Sequence, residues 1–237
     1  MTAIRSTLFL VWFIVVSLVM HIAALPLLFF PRRAIIRAGQ LWARILLFGL
    51  KWIAGIGYEV RGVQNIPAGA ALVAVKHHSM WETLAFMFLV KDPAIVLKRE
   101  LLSIPLYGWF ASKMQMIPID RASGANAVRA MLAAAKQAIS DGRQIVIFPE
   151  GTRRRPGDPP VYKTGIAGLY AQLGVPCVPV AHNSGLYWIR SSLMRKPGTI
   201  VVEFLPAIPP GLPRGEFMAA LQTSIETAAN RLLREAT

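Results

Sequence analysis

The chain has 237 residues, of which 54% are hydrophobic, and its 26 lysines and arginines against 12 acidic residues give a formal net charge of +14. This length suits one α/β domain with an appendage, and the charge indicates an anionic partner such as a lipid or an acidic protein. The sequence has no zinc-finger spacing, RNP-like motif or purely basic helix, which argues against nucleic acid, and its single cysteine, Cys177, excludes an internal disulfide.

The N-terminal segment is long and apolar enough for a membrane helix. No charged residue occurs between Ser6 and Pro31, and about 20 helical residues suffice to cross a bilayer. The stretch is too long for an ordinary signal-peptide core and has no clear cleavage site. His21 and Pro26 interrupt it. A helix that spans the membrane and a bent helix that dips into one leaflet therefore both stay open.

Residues 32–51 predict a basic amphipathic helix. Its polar stripe consists of Arg33, Arg37, Gln40, Arg44 and Lys51. Trp42 and Trp52 suit the depth of lipid headgroups, so a helix on the membrane surface is favoured over one packed on the domain's own core. Arginines at positions 32, 33 and 37, against a lone Arg5, place the following domain on the cytoplasmic face of the cell's inner membrane.

After Gly57, short apolar runs alternate with helix-like segments. The predicted strands are 58–61, 71–75, 94–97, 116–119, 144–148, 176–180 and 199–204, and the predicted helices include 81–90, 125–140, 165–173 and 215–233. The apolar runs are mostly continuous, as in strands buried on both faces. The pattern predicts an α/β fold with a mixed, largely parallel sheet flanked by helices. We therefore predict an anchor at 1–57 and a domain at 58–237.

Two histidines and a glutamate follow the predicted strand 71–75, in the stretch VAVKHHSMWETLAF. Ligands of open α/β sheets gather at the carboxyl ends of strands, and a neutral imidazole accepts a proton near pH 7 when its other nitrogen donates to a fixed acceptor. Glu82 is the candidate acceptor. Helical spacing pairs it with His78, whereas His77 reaches it from a turn before the helix. The alternative is two polar capping residues beside a solvated glutamate.

A second polar motif, FPEGTRRR, follows the predicted strand 144–148. Gly151 permits a backbone turn close to a ligand, and Arg153 offers a planar donor fork for phosphate or carboxylate. An ordinary surface turn is the alternative. Two further cations, Arg121 and Lys163, also follow apolar runs. Several cations after strand ends, in a chain with an anchor, indicate a phosphate-bearing amphiphile as the ligand.

These motifs resemble those of the 1-acylglycerol-3-phosphate (lysophosphatidic acid) acyltransferase family of membrane glycerolipid acyltransferases. KHHSMWE matches its HX4D/E motif, and FPEGTR matches its third motif. YGWFASKMQMIPIDR resembles the second motif through Gly108 and Arg121, and the fourth corresponds to Val178-Pro179-Val180. The resemblance extends over residues 58–205. The family more often carries Asp where this chain has Glu82, and Asn where it has Lys76.

The resemblance implies a role in phospholipid biosynthesis, in which a fatty acyl group passes from a thioester to the sn-2 hydroxyl of lysophosphatidate and gives phosphatidate. It implies that His77 is the general base and that Glu82 orients it. The implied phosphate-binding residues are Arg121, Glu150, Gly151, Thr152, Arg153 and Lys163. Acyl-CoA or acyl carrier protein is the implied co-substrate, with membrane lipid as the surrounding partner, and no cofactor or metal is expected.

Two other functions remain in view. The acceptor is another lyso-lipid, such as a lyso-aminolipid, if the arginines bind a carboxylate rather than a phosphate. A noncatalytic lipid-binding protein is disfavoured, because a binding module needs no base at His77. Cys177, inside an apolar strand, is expected to be a core residue rather than a nucleophile. Ser79 is expected to act as a turn or cap residue.

Overall fold

A computed structural model of the chain describes residues 1–120, 124–190 and 192–236. The strands are β1 Ile56–Arg61, β2 Ala71–Val75, β3 Pro93–Lys98, β4 Ile117–Ile119, β5 Gln144–Ile147, β6 Cys177–His182 and β7 Gly198–Phe204. The α-helices are α1 Thr2–Ala23, α2 Arg32–Gly49, α3 Trp81–Ala85, α4 Tyr107–Lys113, α5 Gly124–Ser140, α6 Gly165–Leu173 and α7 Arg214–Glu235. A π-helical turn at Leu50–Ala54 continues α2.

The seven strands form one sheet in the order β1-β7-β6-β2-β5-β3-β4. All neighbouring pairs are parallel except β6 and β7, which run antiparallel. Each predicted strand overlaps an observed one, and the mixed, largely parallel sheet is confirmed. Strand β6 extends two residues beyond the prediction, to His182.

Helices cover both faces of the sheet. Val73 and Val75 of β2 join the hydrophobic cluster that includes residues of α1 to α4. Leu72 and Ala74 point the other way and join the cluster formed with α5, α6 and α7. Successive side chains of a strand point to opposite faces, so a strand covered on both faces must be apolar throughout. This explains why the central runs show no alternation.

Helix α2 and the π-helical turn that continues it pack one apolar side into this core. Ile35, Leu46 and Leu50 are fully buried and belong to the same cluster as β2, as in the second alternative considered for this segment. Other apolar residues of this segment lie at the surface: Phe48 and Trp52 are 60% and 66% exposed. The helix therefore joins the core on one side and presents aromatic side chains on another.

Helix α1 lies beside α2 along most of its length. The indole Nε1 of Trp42 donates to Ser17 Oγ over 3.1 Å, and Gly49 packs so closely that an added Cβ would lie 2.0 Å from Trp12 Nε1. Within the described ranges, α1 is the one helix long and apolar enough to cross a membrane by length and composition. Most of its apolar surface is nevertheless uncovered, because only Ser6 and Phe9 are buried.

Candidate active site

The site lies where three adjacent central strands end. Strand β2 is flanked by β5 and β6, and all three run in the same direction. Their carboxyl ends therefore deliver three polar segments side by side: the segment from Lys76 to Ser79, the FPEGTR loop and the segment that follows β6. Ligands of such sheets bind at this edge.

The imidazole of His77 pairs with the carboxylate of Glu82. Its Nδ1 lies 2.9 Å from Glu82 Oε1, and because an ionised carboxylate can only accept, Nδ1 carries the proton and donates. The ring also stacks on Phe148 with centroids 4.2 Å apart and an angle of 22° between the planes. The side chain is 13% exposed. The ring is thus fixed in orientation, with Nε2 left as the basic nitrogen.

Five hydrogen bonds hold the Glu82 carboxylate, which is fully buried. Besides His77, the backbone N–H groups of His78 and Ser79 donate to Oε1 over 2.8 and 2.6 Å. The hydroxyls of Ser79 and Ser184 donate to Oε2 over 2.6 and 3.0 Å. Burial opposes ionisation, but the field of His182 and the hydrogen bonds from His77 and Ser79 outweigh it, so the pKa of Glu82 lies well below its usual range.

His78 contributes its backbone to the site and not its ring. The side chain is 1% exposed and contacts the ring of His182 edge-on, with centroids 5.3 Å apart. Burial lowers the pKa of His78 well below its ordinary value, so the ring is neutral. Of the two pairings that the sequence left open, the structure places the His77 ring, and not the His78 ring, on Glu82.

Glu150 of the FPEGTR loop is turned inward. Its carboxylate is fully buried, and Oε2 accepts the backbone N–H of His77 over 2.8 Å. Burial raises the pKa of Glu150, against the opposing field of Lys76, whose Nζ lies 3.0 Å away. The same loop holds the other side of His77, because the Arg154 N–H donates to the His77 carbonyl over 2.8 Å. Glu150 therefore shapes the loop that carries His77.

The rest of the FPEGTR loop carries cations, on a segment whose backbone is hydrogen-bonded to the backbone of His77. Gly151 adopts a φ of +66°, a left-handed conformation that favours glycine, and Lys163 passes over it, with Cγ 3.4 Å from where a Cβ would lie. Thr152 is half-buried in the same turn. The Nε atoms of Arg153 and Arg154 are enclosed and have no hydrogen-bond partner within the described part of the chain. Guanidinium groups in this condition suit a bound anion.

The second motif is described only in part. Gly108 lies in α4, and a side chain there would collide with the backbone, since an added Cβ would be 1.9 Å from the Leu102 carbonyl oxygen. Arg121, which closes the motif, lies outside the described residues. Its proposed contact with phosphate remains a prediction from the sequence.

Two other side chains that could act as nucleophiles, those of Cys177 and Ser79, have structural roles instead. Cys177 is fully buried in β6, and burial raises the pKa of its thiol, which keeps it protonated. Ser79 Oγ accepts the backbone N–H of Trp81 over 3.0 Å at the start of α3, as expected of a turn or cap residue. Across the described residues, no group of three or more His, Cys, Asp or Glu side chains is arranged to hold a metal ion.

Comparison with known proteins identifies the family. The profile of the family described as Acyltransferase matches residues 57–183 of the 237. The chain belongs to the acyltransferase family. It is 37% identical over 169 residues to the 1-acyl-sn-glycerol-3-phosphate acyltransferase of Pseudomonas aeruginosa; the match covers 71% of the chain and 66% of that protein, just under two thirds of its length.

Two further comparisons concern an animal protein that is similar in sequence and a bacterial protein that is similar in structure. Over 172 residues the chain is 32% identical to the 1-acyl-sn-glycerol-3-phosphate acyltransferase alpha of Mus musculus, which covers 70% of the chain and 59% of the mouse protein. In structure it is similar to PlsC of Thermotoga maritima, described as a 1-acyl-sn-glycerophosphate (LPA) acyltransferase. That match has a TM-score of 0.82, 21% identity and 98% coverage of both chains, and it shows that the two proteins share a fold.

Several residues of this acyltransferase-family site were not found from the sequence. Ser184 bonds Glu82, and His182 donates from Nε2 to the Lys76 carbonyl over 2.7 Å. Both follow or end β6, so the rule that placed His77 and Arg153 at strand ends would also have found them. Arg190 donates to the Arg153 carbonyl over 2.6 Å, and no pattern in the sequence indicates that contact.

Proposed function

We propose that the protein is a 1-acyl-sn-glycerol-3-phosphate O-acyltransferase, an enzyme that transfers a fatty acyl group from an acyl thioester to the sn-2 hydroxyl of lysophosphatidate. The observation that carries the proposal is the His77–Glu82 pair at 2.9 Å, whose backbone is hydrogen-bonded to a loop that carries arginines with unpartnered guanidinium nitrogens. The pair supplies a general base, and the arginines supply a receptor for phosphate. The family membership and the activity for which the relatives are named agree with this assignment.

The reaction follows from the orientation of the His77 ring. Nδ1 donates to Glu82, so Nε2 takes the proton of the lysophosphatidate hydroxyl while that oxygen attacks the thioester carbonyl carbon. Glu82 stabilises the imidazolium that forms, as carboxylates do in hydrolase triads. When the carbon–sulfur bond breaks, the imidazolium returns its proton to the leaving thiolate. The products are phosphatidate and the free thiol of coenzyme A or of the carrier protein, and no acyl-enzyme forms.

Arg153 binds the phosphate of the acceptor in this proposal, with Arg121 and Lys163 as further cations and the backbone around Gly151 and Thr152 close to the same anion. We expect Arg153→Ala to raise the KM for lysophosphatidate about 10-fold to 100-fold, because a charged hydrogen bond contributes about 1.5–3 kcal/mol. The turnover number should change little.

The matched control is Arg155→Ala, an exposed arginine of the same loop. Steady-state kinetics with varied lysophosphatidate measure both variants. An equal rise in KM for the two would mean that the loop attracts the substrate only through its general charge, and would remove the specific role of Arg153.

We further propose that the protein acts at the cytoplasmic face of the inner membrane, anchored by residues 1–57. Several apolar side chains of α1, including Leu8, Val11 and Leu18, are more than half exposed. The exposed apolar surface continues beyond the helix to Phe29 and Phe30. An apolar surface of this kind suits lipid rather than water. Because α1 is hydrogen-bonded to α2 and to the rest of the domain, we expect the two helices to enter the bilayer together.

Membrane insertion can be tested with a fluorescent probe. Because the single cysteine, Cys177, is buried, a cysteine introduced at the surface can be labelled selectively. We expect a fluorophore on Leu18→Cys, which is 52% exposed on α1, to be quenched strongly by brominated lipids in phospholipid vesicles. A fluorophore on Val63→Cys, 57% exposed after β1, should not be quenched. Equal quenching at both positions, or at neither, would contradict insertion through the helical pair.

The function itself is tested by a matrix of acyl donors and lyso-lipid acceptors assayed with detergent-purified protein. We expect lysophosphatidate to be the preferred acceptor, with acyl-CoA and acyl carrier protein compared as donors. Preference for a lyso-aminolipid would reassign the acceptor while keeping the chemistry. Saturable lipid binding without transfer from any thioester would identify a noncatalytic lipid-binding protein.

A further inference from the structure

A buried ion network lies directly behind the His77 loop. Lys76 Nζ is 2.7 Å from Glu226 Oε1 and 3.0 Å from Glu150 Oε1. The Tyr162 hydroxyl also donates to Glu226 Oε1, over 2.9 Å. These four residues come from the end of β2, the FPEGTR loop, the segment before α6 and the C-terminal helix α7. The network therefore joins parts of the chain that are remote in sequence.

The network leads from the surface to the backbone of His77. The exposed fraction of the side chains falls from 19% for Glu226 to 4% for Lys76 and to zero for Glu150. Glu150 in turn accepts the His77 N–H through its other oxygen, over 2.8 Å. Lys76 is hydrogen-bonded to Glu226 and pairs with Glu150 through charge, and contacts that involve an ionised group are stronger than neutral ones. The network therefore connects α7 to the backbone of His77 through Glu226, Lys76 and Glu150.

We infer that Lys76 and Glu226 are positioning residues for His77, and that the C-terminal helix thereby takes part in setting the catalytic geometry; this inference depends on the proposed acyltransfer. Without the ammonium of Lys76, the buried carboxylate of Glu150 loses the cation that lies 3.0 Å from it, which is costly. It would then take up a proton or turn away, and the His77 N–H would lose its fixed acceptor. The ring would keep Glu82 as a partner while its backbone shifts.

The test compares Glu226→Gln with Asp92→Asn. Both changes neutralise the partly buried acid of a short ion pair, since Asp92 lies 2.6 Å from Arg32 with 31% of its side chain exposed. Asp92 immediately precedes β3, at the opposite edge of the sheet from His77. We expect Glu226→Gln to lower kcat about 10-fold to 100-fold, the effect of a displacement near 1 Å at a reacting group. KM for donor and acceptor should stay nearly unchanged.

Asp92→Asn should keep the kcat of the unaltered enzyme while lowering the midpoint of thermal unfolding. Lys76→Met and the double variant Lys76→Met/Glu226→Gln complete a mutant cycle. We expect the double variant to have the kcat of Lys76→Met alone, because both residues act through the same link. If Lys76→Met does not fold, the comparison of Glu226→Gln with Asp92→Asn still decides the question.

Three results would overturn the positioning role: an unchanged kcat in Glu226→Gln, a fall in kcat of equal size in Asp92→Asn, or losses that multiply in the double variant. The activity of the unaltered enzyme distinguishes a failure of the proposed acyltransfer from a failure of the positioning role. If it transfers no acyl group to any acceptor, the proposed function fails. If it is active and one of those three results is found, only the role of Lys76 and Glu226 fails.

Discussion

Replacing His77 by alanine should lower kcat for acyl transfer about 100-fold to 10,000-fold, the contribution of a positioned general base. The ring is held by Glu82 and Phe148, and in the proposed reaction its Nε2 accepts the proton of the attacking hydroxyl. In the proposed function the phosphate is bound by another loop, so lysophosphatidate should still bind. Single-turnover rates and lipid-binding isotherms measure the two effects separately.

His78→Ala is the matched control, because it removes the same side chain one residue away. His78 packs in the interior against His182, so its loss should leave a cavity and lower the free energy of unfolding. Turnover of the folded protein should remain within an order of magnitude of the unaltered enzyme. An inactive His78→Ala together with a fully active His77→Ala would reverse the assignment of the base.

Glu82→Gln should fold and yet lose turnover by about 100-fold or more. The amide oxygen can occupy the place of Oε1 and accept from His77, His78 and Ser79. Its NH2 group can then donate to the hydroxyls of Ser79 and Ser184, which are able to reverse their hydrogen bonds. The variant thus keeps the hydrogen bonds and removes the negative charge, and what it loses is the stabilisation of the imidazolium.

The stability of this variant should also depend differently on pH. The folded-state pKa of Glu82 lies below the unfolded value of about 4.3. Ionised Glu82 therefore stabilises the fold fully above that pH, and the contribution is lost as the pH falls towards the lower folded-state value. Glu82→Gln should lack this part of the acid sensitivity in thermal unfolding.

Glu100→Gln, a change at a side chain that is 71% exposed, provides the control for Glu82→Gln. It should alter neither kcat nor unfolding at any pH. Full activity of Glu82→Gln would show that hydrogen bonding alone, without charge, is sufficient to orient His77.

The sheet was predictable because its strands are continuous apolar runs, and β2 coincides with the predicted 71–75. Local patterns were less reliable where tertiary contacts decide the outcome. The predicted helix 81–90 ends as α3 at Ala85, since the chain must turn back to begin β3 at Pro93. Helix α2 shows a clear basic stripe, but periodicity alone does not determine whether its apolar side meets lipid or the core.

The position of the candidate site at the carboxyl ends of the strands was predictable, but the contacts within the site were not. The rule for open sheets brings His77 and Arg153 to one edge. It does not specify that His77 reaches Glu82 from a turn, because that depends on backbone angles between residues 77 and 81. The contact of Lys76 with Glu226 joins residues 150 positions apart, and no periodicity or motif relates them.

The contacts of α1 limit where the chain can be shortened at its N-terminus. Arg5 Nε donates to the Ile53 carbonyl over 2.7 Å, and the Arg195 N–H donates to Ser6 Oγ over 2.8 Å. Phe9 is buried against Trp188, with ring centroids 5.5 Å apart. A shortened form that begins after this helix would uncover an aromatic surface and leave a backbone donor without its acceptor. Recombinant versions meant for crystallisation should therefore retain the first residues, and affinity tags are better placed after α7 than before Thr2.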